Sequence, residues 1–227
     1  MVSSIAGFAF PALCGAVAFH LSIDKVKLIE IMMTCGIANQ ALMSWSVRSQ
    51  IDWSALRRTL MGGFVGLPLG VWLLIEADRR AYTAALGLFL IGFGLLRLCV
   101  PRLVARSQPA IVDFAAGFAG GVTGGAAALP GAFVTIWSAL KGLPKDRQRG
   151  IYQPFIMIMQ LAGLAIIASV NGGGAFARGY DMADLLFVPY GLIGTIAGLI
   201  LYRVISDRQF GLVLNLLLVV SGSSYLF

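Results

Sequence analysis

Apolar residues in this chain run in blocks of about twenty, and the polar residues gather in the short stretches between them. Eight such blocks can be read, at 4–21, 28–47, 56–75, 82–100, 111–140, 151–170, 183–205 and 210–227. Crossing a hydrocarbon core of roughly 30 Å takes about 20 helical residues. A membrane-spanning barrel would instead show segments of about 10 residues alternating apolar and polar. The pattern therefore predicts an all-α, polytopic integral membrane protein of about eight hydrophobic segments.

The fifth block is the longest and is dense in glycine, which predicts a broken or re-entrant helix. Backbone leaves helical geometry at membrane depth only where protein or a wet cavity satisfies it. A basic stretch with Arg102 and Arg106 precedes that block and divides the chain into a first membrane repeat (1–100), a linker (101–110) and a second repeat (111–227). Features recur in the same order in both halves, 120 to 129 positions apart. Asp52–Trp53 opens the third block as Asp181–Met182 opens the seventh, and Gly66 and Gly70 return as Gly194 and Gly198. Duplicated halves are common in secondary transporters, with the substrate between them.

Composition supports the membrane reading and narrows it. Hydrophobic residues make up 59% of the 227 positions and charged residues 12%, and mean hydropathy is +0.87. A soluble domain carries about 25% charged residues. The net charge of +7 comes from basic residues flanking apolar blocks, a topology signal and not a nucleic-acid stripe. If all eight blocks span, the loops after the odd-numbered ones share a side. That side holds ten basic residues, including Lys25, Lys141, Lys145 and Arg149, against seven opposite, including Arg48, Arg57 and Arg58. The positive-inside rule would then put both termini outside the cytoplasm. Cys14, Cys35 and Cys99 lack metal or disulfide spacing, and His20 is the sole histidine. No basic region precedes the first apolar block, which predicts that it is retained.

The stretch 117–130 reads GFAGGVTGGAAALP. Glycines in a helix cost about 1 kcal/mol each relative to alanine, so something must offset them. Two readings stand: close helix packing, or an opened helix whose free amides meet an anion. Pro130 would free a carbonyl one turn back. Gly66–Gly70 and Gly194–Gly198 fit small-xxx-small helix contact. Asn39 and Gln40 in the second block, and Gln153 and Gln160 in the sixth, are polar groups whose burial needs partners, either another helix or a substrate. Thr34, Thr123 and Thr135 could bond a ligand or their own backbone. Glu30 and His20 read as interfacial, the alternatives being a proton-coupling role for Glu30 and a proton relay for His20. No deep carboxylate pair, buried charge or Ser/His/Asp set is apparent, so an enzyme is not expected, nor any metal or cofactor.

The stretch GFAGGVTGGAAALPGAFVTIWSALKGLPKDRQRG is similar to the sulfite exporter TauE/SafE family of small membrane transporters. Gly120, Gly124, Gly125, Pro130, Gly142, Leu143, Pro144 and Arg149 sit where that pattern expects them, and Ile51–Asp52–Trp53 ahead of a glycine-spaced helix adds to the likeness. The chain departs from the family in its first repeat, where only Gly7 and Gly15 flank Pro11; that repeat reads as degenerate or shortened. The resemblance implies a secondary transporter for a small anion, such as sulfite, an organosulfonate or a related oxyanion, in the cell (inner) membrane. The proton gradient or membrane potential would drive it, since no nucleotide-binding motif is present. The expected substrate contacts are Thr123, Gly124, Gly125 and Pro130, with Asn39, Gln40, Gln153 and Gln160 around the cavity. The expected partners are the anion and the lipid bilayer, with no nucleic acid; a homo-oligomer is compatible with the sequence. The alternative function is a non-transporting membrane scaffold or assembly subunit.

Overall fold

Asp52 shows how the polar punctuation sets helix boundaries. Its carboxylate accepts hydrogen bonds from Ser54 N (3.1 Å) and Ala55 N (3.0 Å). Two of the orphan amides at a helix start are thereby satisfied. Replacing Asp52 with alanine is expected to cost about 1 kcal/mol, read as a lower thermal midpoint in detergent.

The computed structural model describes residues 25–99 and 109–170, with Leu216, Val219, Val220 and Ser223. The first and seventh apolar blocks, and all but four positions of the eighth, lie outside these residues, as does most of the linker. The recurrence of Gly66–Gly70 as Gly194–Gly198 therefore falls partly outside them too. Helices account for the regular structure among the described residues. They are α1 (Lys25–Ser46), a single 3-10 turn (Arg48–Gln50), α2 (Trp53–Glu76), α3 (Arg79–Cys99), α4 (Ala110–Ala127), α5 (Gly131–Leu140) and α6 (Lys145–Val170). Among them, four stretches are long and apolar enough to cross a membrane: Val26–Ser46, Trp53–Glu76, Ala110–Ala127 and Asp146–Val170.

Glycine spacing dictates the tightest packing. Gly62, Gly66 and Gly70 recur every four residues on one face of α2, and Gly117, Gly121 and Gly125 do the same on α4. A Cβ at Gly62, Gly66 or Gly70 would overlap the carbonyl of Phe114, Phe118 or Val122 respectively. In return, a Cβ at Gly117 or Gly121 would overlap the carbonyl of Thr59 or Gly63, and one at Gly125 would lie 2.6 Å from Leu67 O. Partner numbers rise together along both helices, so α2 and α4 run parallel with backbones in contact. The sequence expectation of a helix contact at Gly66–Gly70 holds. The opposite face of α2 exposes Met61, Phe64, Val65, Leu69 and Trp72, as a lipid-facing stripe requires.

The fifth block is broken, and the break is confined to residues 128–130. The glycines lie inside the unbroken helix α4, so they do not open the backbone. Ala128 ends α4 in the left-handed region at φ 55°, which costs a non-glycine residue about 1–2 kcal/mol. Hydrogen bonds to neighbouring backbone hold the break. Ala128 N donates to Gly124 O (3.0 Å), Leu129 N to Thr123 O (3.2 Å), and Tyr82 Oη of α3 to Ala126 O (2.8 Å). Pro130 then caps α5, which folds back along α4. Trp137 and Lys141, at the far end of α5, meet Asp113 in the first turn of α4. Together α4 and α5 form a hairpin that enters and leaves at the same end of the bundle. Gly142 closes it at φ 63°, the left-handed helix stop that glycine takes without strain.

This hairpin overturns the sequence-based assignment of sides. Arg58 and Lys141 were expected at opposite ends, yet both bind Asp113. Gly150 of α6 packs on the Gln50 carbonyl, so Lys145, Arg147 and Arg149 also join Arg48 and Arg57. The physical reason is that α5 returns instead of completing a crossing. The opposite end gathers Leu28, Ile29, Met33, Leu74, Tyr82 and Ile167 into one buried apolar cluster.

Candidate functional site

Among the described residues, polar groups gather at three places that bear on function. At the hairpin base, Asp113 is 3% exposed although it was not singled out from sequence. Its Oδ2 accepts from Arg58 Nε (2.8 Å) and its Oδ1 from Trp137 Nε1 (2.7 Å), with Lys141 Nζ paired to Oδ1. The expectation that this chain lacks a buried charge was wrong. The signal was available: a lone aspartate near the start of an apolar segment is costly unless cations reach it.

The hairpin tip holds four of the expected substrate contacts. The Thr123 hydroxyl lies 2.9 Å from Ala119 O and 3.1 Å from Leu129 O, bonding backbone of its own hairpin. A Cβ at Gly124 would come within 2.9 Å of Pro130 Cβ, Gly125 faces α2, and the Pro130 carbonyl lies over Gly120. Thr34 and Thr135 likewise donate to Glu30 O (2.8 Å) and Ala132 O (3.0 Å).

The other four lie along the seam between α1 and α6. Contacts of Gly36 with Gln160, of Met33 with Gly163, and of Arg149 with Met43 fix these helices as antiparallel. Gln40 thus falls between the first and last of these contacts, opposite the Gln153 stretch of α6. Asn39, Gln40, Gln153 and Gln160 are all buried, at 4%, 0%, 1% and 1% exposure. Both amide ends of Gln40 lack a hydrogen-bond partner, as do Asn39 Oδ1, Ser44 Oγ, Gln153 Oε1 and Gln160 Oε1. An interhelical bond was one sequence reading of these amides, and these atoms do not make it.

The seam and the tip do not merge into one site among the described residues. Phe155 and Met159 of α6 pack on Gly63, and Phe155 also on Gly120, on the side of α6 facing α2 and α4. Gln153 and Gln160, seven residues apart and so on one helical face, point elsewhere, toward α1.

An all-helical membrane bundle with a glycine-rich re-entrant hairpin and a seam of neutral amides is the setting for comparison with known proteins. The family model for the sulfite exporter TauE/SafE matches residues 1–225. The chain belongs to the sulfite exporter TauE/SafE family. It is accordingly a multi-pass membrane protein of a transporter family. Among curated proteins, it is 27% identical over 181 residues to the probable inner membrane transporter protein TsaS of Comamonas testosteroni, covering 77% of this chain and 72% of that one. No solved structure matches. Within this TauE/SafE chain, the residues that carried the resemblance fall at the hairpin tip, at the Gly142 turn and at the start of α6.

Proposed function

We propose that the protein is a secondary transporter that moves a small oxyanion, such as sulfite or an organosulfonate, across the inner membrane. The membrane potential or a proton gradient supplies the energy. The observation that carries this reading is Gln40: a completely buried side chain with neither amide end bonded, in a helix seam where three further amides have unpaired oxygens. Leaving such groups unpaired costs on the order of 1–3 kcal/mol each. A fold keeps that cost where a passing ligand repays it. Neutral amides suit this use, because they bind an anion weakly enough to release it.

In this reading Asn39, Gln40, Gln153 and Gln160 contact the substrate along the α1–α6 seam. The hairpin tip, with Thr123, Gly124, Gly125 and Pro130, is a second contact nearer the other end, where the first amides of α5 face an anion. The two repeats, 1–100 and 111–227, would supply the halves that rock about this path. The end bearing Arg48, Arg57, Arg58, Lys141, Lys145, Arg147 and Arg149 faces the cytoplasm. The other end carries only Lys25, Lys27, Arg79 and Arg80 among the described residues.

The test is Gln40→Leu, measured for both stability and flux. An apolar side chain of similar volume removes two unpaired polar ends, so the thermal midpoint is expected to rise. Sulfite and methanesulfonate flux into proteoliposomes is expected to fall by at least about tenfold, as for one lost charge-assisted contact of about 1.4 kcal/mol. Unchanged flux in a more stable protein would reduce Gln40 to a packing residue and remove the support for this pathway.

A further inference from the structure

Arg149 stands at the mouth of the seam with its strongest recognition edge unused. On a guanidinium, Nε and Nη2 form a side-on fork that matches two oxygens of one anion. Arg149 Nε is buried without a partner, and the Nη2 contact is the Met43 thioether at 3.6 Å, a weak acceptor. Its Nη1 lies 3.9 Å from Asp146, a side chain 70% exposed, which leaves the fork free. The Arg149 side chain is 20% exposed although its Nε is buried, so the residue itself borders both solvent and seam. Gln153 follows one helical turn deeper on the same face of α6, and Ser44, beside Met43 on α1, carries another unpartnered hydroxyl.

From this we infer that Arg149 is an entry subsite that grips an oxyanion side-on before handing it to Gln153 and Gln40. The inference rests on the seam being the transport path. It adds a sign and a shape to that path: amides alone accept either charge, whereas the Arg149 fork selects an anion with two oxygens on one face. Sulfonates, sulfite and carboxylates fit it; a halide offers no second acceptor. A residue that merely reaches for lipid headgroups through its charge would work equally well as lysine.

The experiment compares wild type, Arg149→Lys and Arg149→Gln in two assays. In proteoliposomes, Arg149→Lys is expected to raise the KM for methanesulfonate about tenfold, the loss of one charge-assisted hydrogen bond, with maximal flux little changed. Arg149→Gln should raise it further. In detergent, methanesulfonate should stabilise wild type against heating more than it stabilises either variant, while chloride should not separate the three. An unchanged KM in Arg149→Lys, with Gln40→Leu still blocking flux, overturns the Arg149 subsite and leaves the pathway standing. If wild type moves no oxyanion, the transport reading falls, and the heating assay decides Arg149 alone. Stabilisation confined to wild type supports the fork, and an equal response in all three overturns it.

Discussion

Gly121→Leu is expected to prevent assembly of the bundle, leaving little protein in the monodisperse peak after detergent extraction. The glycine sits where α4 touches α2 backbone to backbone, and even a Cβ would overlap the Gly63 carbonyl. A flexible side chain could give way; a carbonyl inside a parallel helix pair cannot move without breaking its own helix. Overpacking a side-chain core costs about 1–3 kcal/mol, and a backbone obstruction falls at or beyond the top of that range. The seam also repeats, so separating the helices at Gly121 opens the contacts at Gly117 and Gly125 as well. Gly92 on α3 is the control, since a Cβ there meets nothing within 4 Å. Gly92→Ala should stabilise the protein by up to about 1 kcal/mol through helix propensity alone. If Gly121→Leu extracts and melts like Gly92→Ala, the backbone contact between α2 and α4 is not what holds the fold.

Asp113→Ala is expected to cost on the order of 3–5 kcal/mol, because it strands two cations that share one buried carboxylate. It should also release the hairpin base, so flux is lost together with stability. Removing a single cation should do far less. Arg58 is 39% exposed, and a half-open ion pair contributes about 0–1 kcal/mol, so Arg58→Ala is expected to melt close to wild type. The order of effects follows from geometry: Asp113 is the hub and Arg58 a spoke. A partial rescue checks the cause. Asp113→Leu combined with Lys141→Met should melt above Asp113→Leu alone, since the stranded ammonium is gone. Equal midpoints for Asp113→Ala and Arg58→Ala would refute this account of the base.

Which of these features could be read in advance depended on how far apart their causes lie in the chain. The helices followed from local hydropathy, and Asp52 announced the start of α2 because capping is settled within three residues. The break in the fifth block was readable from its glycines and Pro130, although the glycines proved to lie in regular helix beside the break. Its direction was not readable. That α5 turns back depends on Asp113 meeting Trp137, 24 residues on, and Arg58, 55 residues earlier. No window of local sequence contains that contact. The four-residue spacing of Gly117, Gly121 and Gly125 matches that of Gly62, Gly66 and Gly70; close packing was one of the two sequence readings of the first set, and the structure supplies the partner helix. The amides were legible from the cost of burying them, but their arrangement along one antiparallel seam needed the Gly36–Gln160 contact to set the register. Gly124 packs against Pro130, where a Cβ would come within 2.9 Å of the proline ring. A leucine there would disturb the break itself, so lost flux would not distinguish binding from packing.

The hairpin also constrains how the protein can be made. Ten residues of α5 reach about 15 Å, half the hydrocarbon thickness, so lipid alone cannot hold that leg in place. It needs the groove that α2, α3 and α6 provide, and α2 and α3 leave the ribosome before the hairpin does. When α4 emerges, its glycine face finds a finished α2 to dock on, while α6 is still to come. The order of segments along the chain therefore doubles as an order of insertion. Moving the hairpin ahead of α2 in a permuted gene would ask the membrane to accept a half-length helix with no surface to receive it.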